Sequence, residues 1–301
     1  MPINNSLPKK KFPMTMHWGK QANPSFKPAL EAITIKMYQA PSRNQILSYL
    51  PEFCLATWED RPTRVYSQDQ REQCLKDLLQ MKVLPNAMET IGFTFLVSNI
   101  DLIDVTHLIR HRAMTFSAHC TGDRDQRFDT VLVKPSITHS THLSQYMRIC
   151  EQAFMLYAKM LDEKEISILD ARTILPRSLA NHYYARVNLK DFITFLKQRL
   201  DKQIQPESDN IIAIRMLIEV AKIIPEIKYA IDLDSPDYFF IKTAQTDHSS
   251  NLYRPEPKND IFDWNEQWFM YPRTRDMMKG GDAFVTLWND LVARYQEITS
   301  D

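Results

Sequence analysis

Apolar positions along this chain recur with two periods, one of two residues and one near 3.6, and the switches between them outline its elements. Alternation over residues 32–38 (AITIKMY) predicts a strand. The apolar run 91–97 (IGFTFLV) predicts a second, buried strand, and 128–133 (FDTVLV) a short third one. Helical spacing takes over near 43–57, where Pro51 interrupts it, and again near 68–81. In 101–109 (DLIDVTHLI) it sets Leu102, Val105, Leu108 and Ile109 on one stripe, with Asp101 placed as N-cap. Over 143–161, Tyr146, Met147, Cys150, Phe154, Tyr157 and Leu161 mark an amphipathic helix whose stripe is core. Asn188 opens a helix running to Leu200, with Leu189, Phe192, Phe195 and Leu196 inward. Ser208 or Asp209 caps a further helix (IIAIRMLIEVAKII) that Pro225 stops, and DAFVTLWNDLVARYQEI ends the chain as a helix.

Strands mixed with helices, without repeats or a dividing linker, give one α+β domain over 29–232. Residues 1–28, rich in Pro, Lys and Asn, look like a loose leader, and 233–301, rich in Asp, Pro, Tyr and Trp, like a C-terminal extension. Lys+Arg and Asp+Glu both number 37, so no net field favours nucleic acid or a membrane surface. No apolar run approaches the ~20 residues that span a bilayer, and no secretory signal opens the chain. Cys54, Cys74, Cys120 and Cys150 are widely spaced with no CxxC pair, which argues against zinc and for reduced thiols in a cytoplasmic compartment. With only five glycines, neither GxGxxG nor a P-loop can be assembled. If the protein binds a nucleotide, side chains must hold the phosphates.

The cations for that task concentrate in 110–127 (RHRAMTFSAHCTGDRDQR), with Arg110, Arg112, Arg124 and Arg127, joined by Arg172 from a later segment. Arg110, His111 and Arg112 fall at a helix C-terminus, where the dipole favours cations. Thr121-Gly122-Asp123 is a turn. This pairing suits a phosphate-bearing ligand, and a solvated basic helix end fits the spacing equally well. Arg199 lies four residues after Phe195 on a buried face, a costly place unless it is paired or bound to a ligand. Spacing alone favours the plainer reading, that Arg199 snorkels and caps carbonyls. Arg172 carries the same ambiguity. Cys120, between His119 and the turn, is a nucleophile or, as its neighbours favour, a small filler.

Together the two arginine-bearing blocks resemble the flavin-dependent thymidylate synthases, over roughly residues 30–230. That family's signature is RHR, two residues, Ser, one residue, Asn-Glu, one residue, Ser, one residue, Arg. Arg110-His111-Arg112 matches its start, and Thr115 replaces the first serine. The second family block has an Ala-Arg before a Leu-Pro, then an Asn-x-Arg and a downstream Arg. It is similar to Ala171-Arg172, Leu175-Pro176, Asn188-Leu189-Lys190 and Arg199. Ser117 and Ala118 stand where the family has Asn-Glu, and Thr121-Gly122-Asp123-Arg124 fits Ser-x-Arg with one extra residue. His107 replaces a glutamine, while Lys190 and Thr194 replace an arginine and a histidine of the flavin-binding helix.

The resemblance implies an α+β fold with a central antiparallel or mixed sheet flanked by long helices, in a homotetramer with active sites between subunits. It implies FAD as cofactor, with methylenetetrahydrofolate and NADPH as co-substrates, in methyl transfer to C5 of a pyrimidine mononucleotide. That nucleotide is dUMP by default; the rewritten loop leaves a changed base, sugar or hydroxymethyl product open. By resemblance, Arg110, His111, Arg112, Asn188, Lys190 and Thr194 hold FAD. His107, Arg110, Cys120, Thr121, Gly122, Arg124, Arg172 and Arg199 surround the nucleotide, with Arg124 and Arg172 on its 5′-phosphate. Arg199 is the catalytic group, against the N3–O2 edge of the base. A degenerate member that binds nucleotide or flavin without catalysis is the alternative, and an RNA- or DNA-binding module is disfavoured by the charge balance.

Overall fold

The structure is a computed structural model that describes residues 15–55, 65–120, 122–200, 207–231, 233 and 281–300. Strand β1 (Ser25–Pro28) and the single turn α1 (Ala29–Ala32) lead into β2 (Thr34–Gln39). Helices α2 (Arg43–Leu55) and α3 (Gln68–Leu79) follow, then strand β3 (Gly92–Ile100) and helix α4 (Leu102–Leu108). The chain continues through β4 (Thr115–Ala118), β5 (Thr130–Val133), α5 (Pro135–Thr138), α6 (Leu143–Asp162) and α7 (Ile168–Ala171). Strand β6 (Asn181–Asn188) runs directly into α8 (Leu189–Arg199), followed by α9 (Glu207–Ala221) and α10 (Gly281–Thr299).

The main sheet is antiparallel in the order β2-β3-β6-β4, and β1 and β5 form a separate parallel pair. Its inner face follows from alternation. Phe93, Phe95 and Val97 of β3 point inward, opposite Val187, Ala185 and Tyr183 of β6 in register. Phe192 and Phe195 of α8 close over them, with Phe95 and Phe192 ring centroids 5.7 Å apart. Thr94, Ser98, His182, Tyr184 and Arg186 alternate to the outer side. The sequence reading places β3 and α8 well but passes over β6 and β4. The outward positions of β6 (His182, Tyr184, Arg186) have mixed character, and four residues in β4 are too few to display a period. The third expected strand shortens to Thr130–Val133, and the end of the helix expected to reach residue 57 lies outside the described residues.

Helix α4 begins as expected, with a capping box in which Asp101 accepts from Asp104 N and Asp104 from Asp101 N. Both carboxylates are buried and face Lys134, whose Nζ lies 2.9 Å from Asp101 Oδ2 and 3.2 Å from Asp104 Oδ2. Ser208 of α9 donates to Asp104 at 2.5 Å, so α4, the start of α5 and α9 meet at one polar knot. Ser208 and Asp209 sit inside the first turn of α9, where both face buried partners.

Residues 15–28, read from sequence as part of a loose leader, are tied to the body. Asn23 N donates to Arg127 O at 2.9 Å and Ser25 N to Asp129 O at 3.1 Å ahead of the β1–β5 ladder. Arg127 itself is fully buried; its guanidinium reaches Asp125 at 2.9 Å, Asp162 at 3.1 Å and the carbonyl of Lys20 at 2.7 Å. At the other end, Phe284, Trp288, Leu291 and Tyr295 of α10 join the main core beside α9. No helix among the described residues is long and apolar enough to cross a membrane.

Candidate functional site

Arg199, at the end of α8, does not snorkel. Its Nε donates to His111 Nε2 at 2.7 Å, Nη1 to Asp209 Oδ2 at 2.8 Å and Nη2 to the His107 carbonyl at 3.0 Å. The side chain of Asp209 is 0% exposed and that of Arg199 only 11%. Asn210, the next residue of α9, donates to the Arg199 carbonyl at 2.7 Å, so one turn of α9 grips both ends of the arginine. His111 packs its ring edge on Phe195 at 5.0 Å. Burial, then the Arg199 charge, pushes His111 down to about 4, so it is neutral and its Nε2 lone pair is available to accept. Tyr183 of β6 lies beneath this group, and burial holds its phenol well above the usual range.

A second group gathers where the loop after β4 meets α7. Cys120 is exposed; Arg172 Nη1 donates to its Sγ at 3.6 Å and Gly122 N at 3.4 Å. Arg172 Nε also donates to the Leu169 carbonyl at 3.1 Å. Thr121 lies outside the described residues. Close by, Arg124 is paired with Asp129 at 2.7 Å. Burial outweighs that pairing and raises Asp129 to about 6. His119 and His182 stack at 4.4 Å, and burial followed by the Arg124 charge lowers both, His119 to about 4. His182 faces the Arg124 side of β6 while its neighbour Tyr183 faces Arg199, so the two groups lie on opposite faces of that strand.

Among the residues expected at the flavin, Arg110 and Arg112 are exposed at the end of α4 and form no ion pair among the described residues. That donor set suits the diphosphate of an anionic dinucleotide. His111 has turned inward to Arg199, because its neutral ring is the acceptor that Nε requires. Asn188 caps α8, accepting from Asp191 N at 2.9 Å and donating to Asp191 Oδ2 at 2.7 Å. Lys190 pairs with Glu89 at 2.5 Å, and Thr194 donates to the Lys190 carbonyl at 3.2 Å. Lys190 is nine residues from Arg199 along α8, about 13 Å at 1.5 Å per residue, so the two ends of this helix serve different places.

Asp209, Lys134 and Asp129 are the partners that sequence reading missed as such. The available signal was a polar residue on the otherwise apolar face of a helix, which Asp209 is. A surface hollow of about 540 Å³ between residues 19–22 and α6 is lined by none of Arg124, Arg172 and Arg199.

The described residues thus set two exposed guanidiniums, Arg110 and Arg112, at a helix end, Arg199 locked on the Tyr183 face of β6, and Arg172 beside the Gly122 turn, a donor set that suits anionic, planar ligands. Residues 37–226 match the model of the Thy1 family, described as thymidylate synthase complementing protein. The chain belongs to that family, the flavin-dependent thymidylate synthases, and is a thymidylate synthase-like methyltransferase. Its fold is similar to that of the UMP/dUMP methylase PolB from Streptomyces cacaoi. The structure bound with 5-Br dUMP has a TM-score of 0.55 at 19% identity, covering 67% of this chain and 94% of that one. The structure bound with 5-Br UMP has a TM-score of 0.53 at 20% identity, covering 68% and 94%. No curated protein matches the chain.

Proposed function

We propose that this protein transfers a one-carbon unit from methylenetetrahydrofolate to C5 of a uracil mononucleotide, dUMP giving dTMP by default, using FAD and NADPH. The observation that carries this reading is Arg199, a guanidinium fixed by three anchors on a family scaffold. Set against the N3–O2 edge of the base, it stabilises negative charge in the ring and makes C5 a better nucleophile. A preorganised donor of this kind contributes roughly 3–4 kcal/mol to such a step. No protein nucleophile is then needed, and Cys120 serves as a contact of Arg172. Arg172 and Arg124 grip the 5′-phosphate, and His107, Arg110 and Gly122 line the same nucleotide. Arg110 and Arg112 hold the cofactor diphosphate, and bound FAD supplies the hydride chemistry that no side chain can perform.

The two arginine groups lie on opposite faces of β6, which supports a site completed by a second copy of the chain in a homotetramer. A second stripe on α6, Ile149, Ala153, Leu156 and Met160 at helical spacing, supports the same assembly; Ile149 is 55% and Leu156 45% exposed. PolB was solved with both a ribo- and a deoxyribonucleotide analogue, so UMP belongs beside dUMP in the assay.

The test is to purify the protein, record its visible spectrum with FAD, and weigh the product after incubation with dUMP or UMP, methylenetetrahydrofolate and NADPH. A yellow protein bleached by NADPH and a product 14 Da heavier support the enzyme. Flavin and nucleotide binding without a product would assign the non-catalytic reading, which the missing carboxylate at Ser117 and Ala118 favours. Arg199→Ala should abolish turnover and leave bound flavin nearly unchanged, and loss of flavin instead would make Arg199 structural.

A further inference from the structure

We propose that Asp209 is a positioning residue for the methyl transfer: its buried carboxylate, opposite the His111 ring, fixes the plane of the Arg199 guanidinium. The inference rests on the catalytic reading of Arg199 given above. Asp209 occupies the first turn of α9, where the helix dipole favours a negative charge. Its Oδ2 lies 2.8 Å from Arg199 Nη1 and 3.6 Å from His107 Nδ1, while its second oxygen is buried without a hydrogen-bond partner among the described residues. A pair kept for stability alone gains most from a bidentate fork, and replacing such a buried pair with apolar groups is often neutral. A carboxylate held one-sidedly, with an orphaned oxygen, is poor stabilisation but good aim.

The remaining anchors fix the other directions of the guanidinium. His111 takes Nε from one edge, the His107 carbonyl takes Nη2, and Asn210 ties the Arg199 backbone. Of these, only Asp209 carries a charge, so it also sets how strongly Arg199 attracts an anionic ring. Asp209 need not touch substrate for this: its hydrogen bond goes to Arg199, and it acts through that guanidinium.

The experiment is a double-mutant cycle on the full chain with FAD, NADPH, methylenetetrahydrofolate and either dUMP or UMP, using Arg199→Lys, Asp209→Asn and the double variant. Asp209→Asn should lower kcat about ten- to a hundredfold with nucleotide KM within about twofold, since a misaimed donor loses transition-state rather than ground-state contact. In the Arg199→Lys background the same change should cost less than about threefold, because its effect passes through the arginine. Equal losses in both backgrounds, or unchanged kcat in Asp209→Asn, would overturn the inference while leaving the proposed function standing. Full turnover in Arg199→Lys would instead overturn the reading of Arg199 itself. If Asp209→Asn does not fold, judged by circular dichroism, His111→Leu removes the opposite anchor. It should show the same kcat loss and the same non-additivity with Arg199→Lys, and additive losses there overturn the proposal.

Discussion

A methyl group at residue 122 would lie 2.3 Å from Leu169 Cδ2 and 2.8 Å from Arg172 Nη1. Both are the tips of mobile side chains, so Gly122→Ala should hardly change the melting temperature, yet it must displace the guanidinium. Nucleotide KM should rise about tenfold, equivalent to about 1.4 kcal/mol, and an unchanged KM would remove Arg172 from the phosphate. Titration gives a second prediction at this scale. The unfolded chain protonates a histidine near 6.5, whereas native His119 stays neutral to about 4, so the ring costs stability as pH falls between these values. Asp104 and Asp129, raised to about 6, do the opposite: the unfolded chain releases their protons first, and stability is lost as pH rises from 3.8 toward 6. Relative to the parent, His119→Asn should therefore gain stability as pH drops from 6.5 to 4, measured by urea unfolding at each pH. At residue scale the sequence was legible only in part. Arg110 and Arg127 read as one basic cluster, yet one is exposed and the other is enclosed by Asp125 and Asp162. Nothing local separates them, because the second acid lies 35 residues away on α6.

Elements were more legible, since a helix writes its buried stripe into consecutive turns. Asp101 as cap, the inward face of α8 and the core stripe of α6 all follow from spacing. What spacing cannot write is which polar residue on one element meets which on another. The knot of Asp101, Asp104, Lys134 and Ser208 joins three elements in this way. Asp101→Ala removes both a helix cap and one partner of a largely enclosed ammonium. It should destabilise the fold by about 2–3 kcal/mol in denaturant titration, between the cost of a lost cap and that of a broken buried pair. Helix α6 makes a different prediction. Leu156 is exposed on its outer stripe, so Leu156→Glu should leave the fold intact but reduce the assembled mass in sedimentation. An unchanged mass would place the contact between copies elsewhere.

For the molecule as a whole, the family match ends at residue 226, yet the core does not. Four side chains of α10, Phe284, Trp288, Leu291 and Tyr295, complete the wall beside α9, and Lys228 Nζ reaches the Thr299 carbonyl. Because α9 also carries Asp209, the anchor of Arg199, the outermost helix supports the site from behind. This arrangement has a consequence during translation. About sixty residues separate Ala221 from Gly281, on the order of 3–12 s of elongation at 5–20 residues per second. Throughout that interval the face of α9 that Phe284, Trp288, Leu291 and Tyr295 cover in the folded protein lacks those four partners, so this wall is finished only once residues 281–299 have been made.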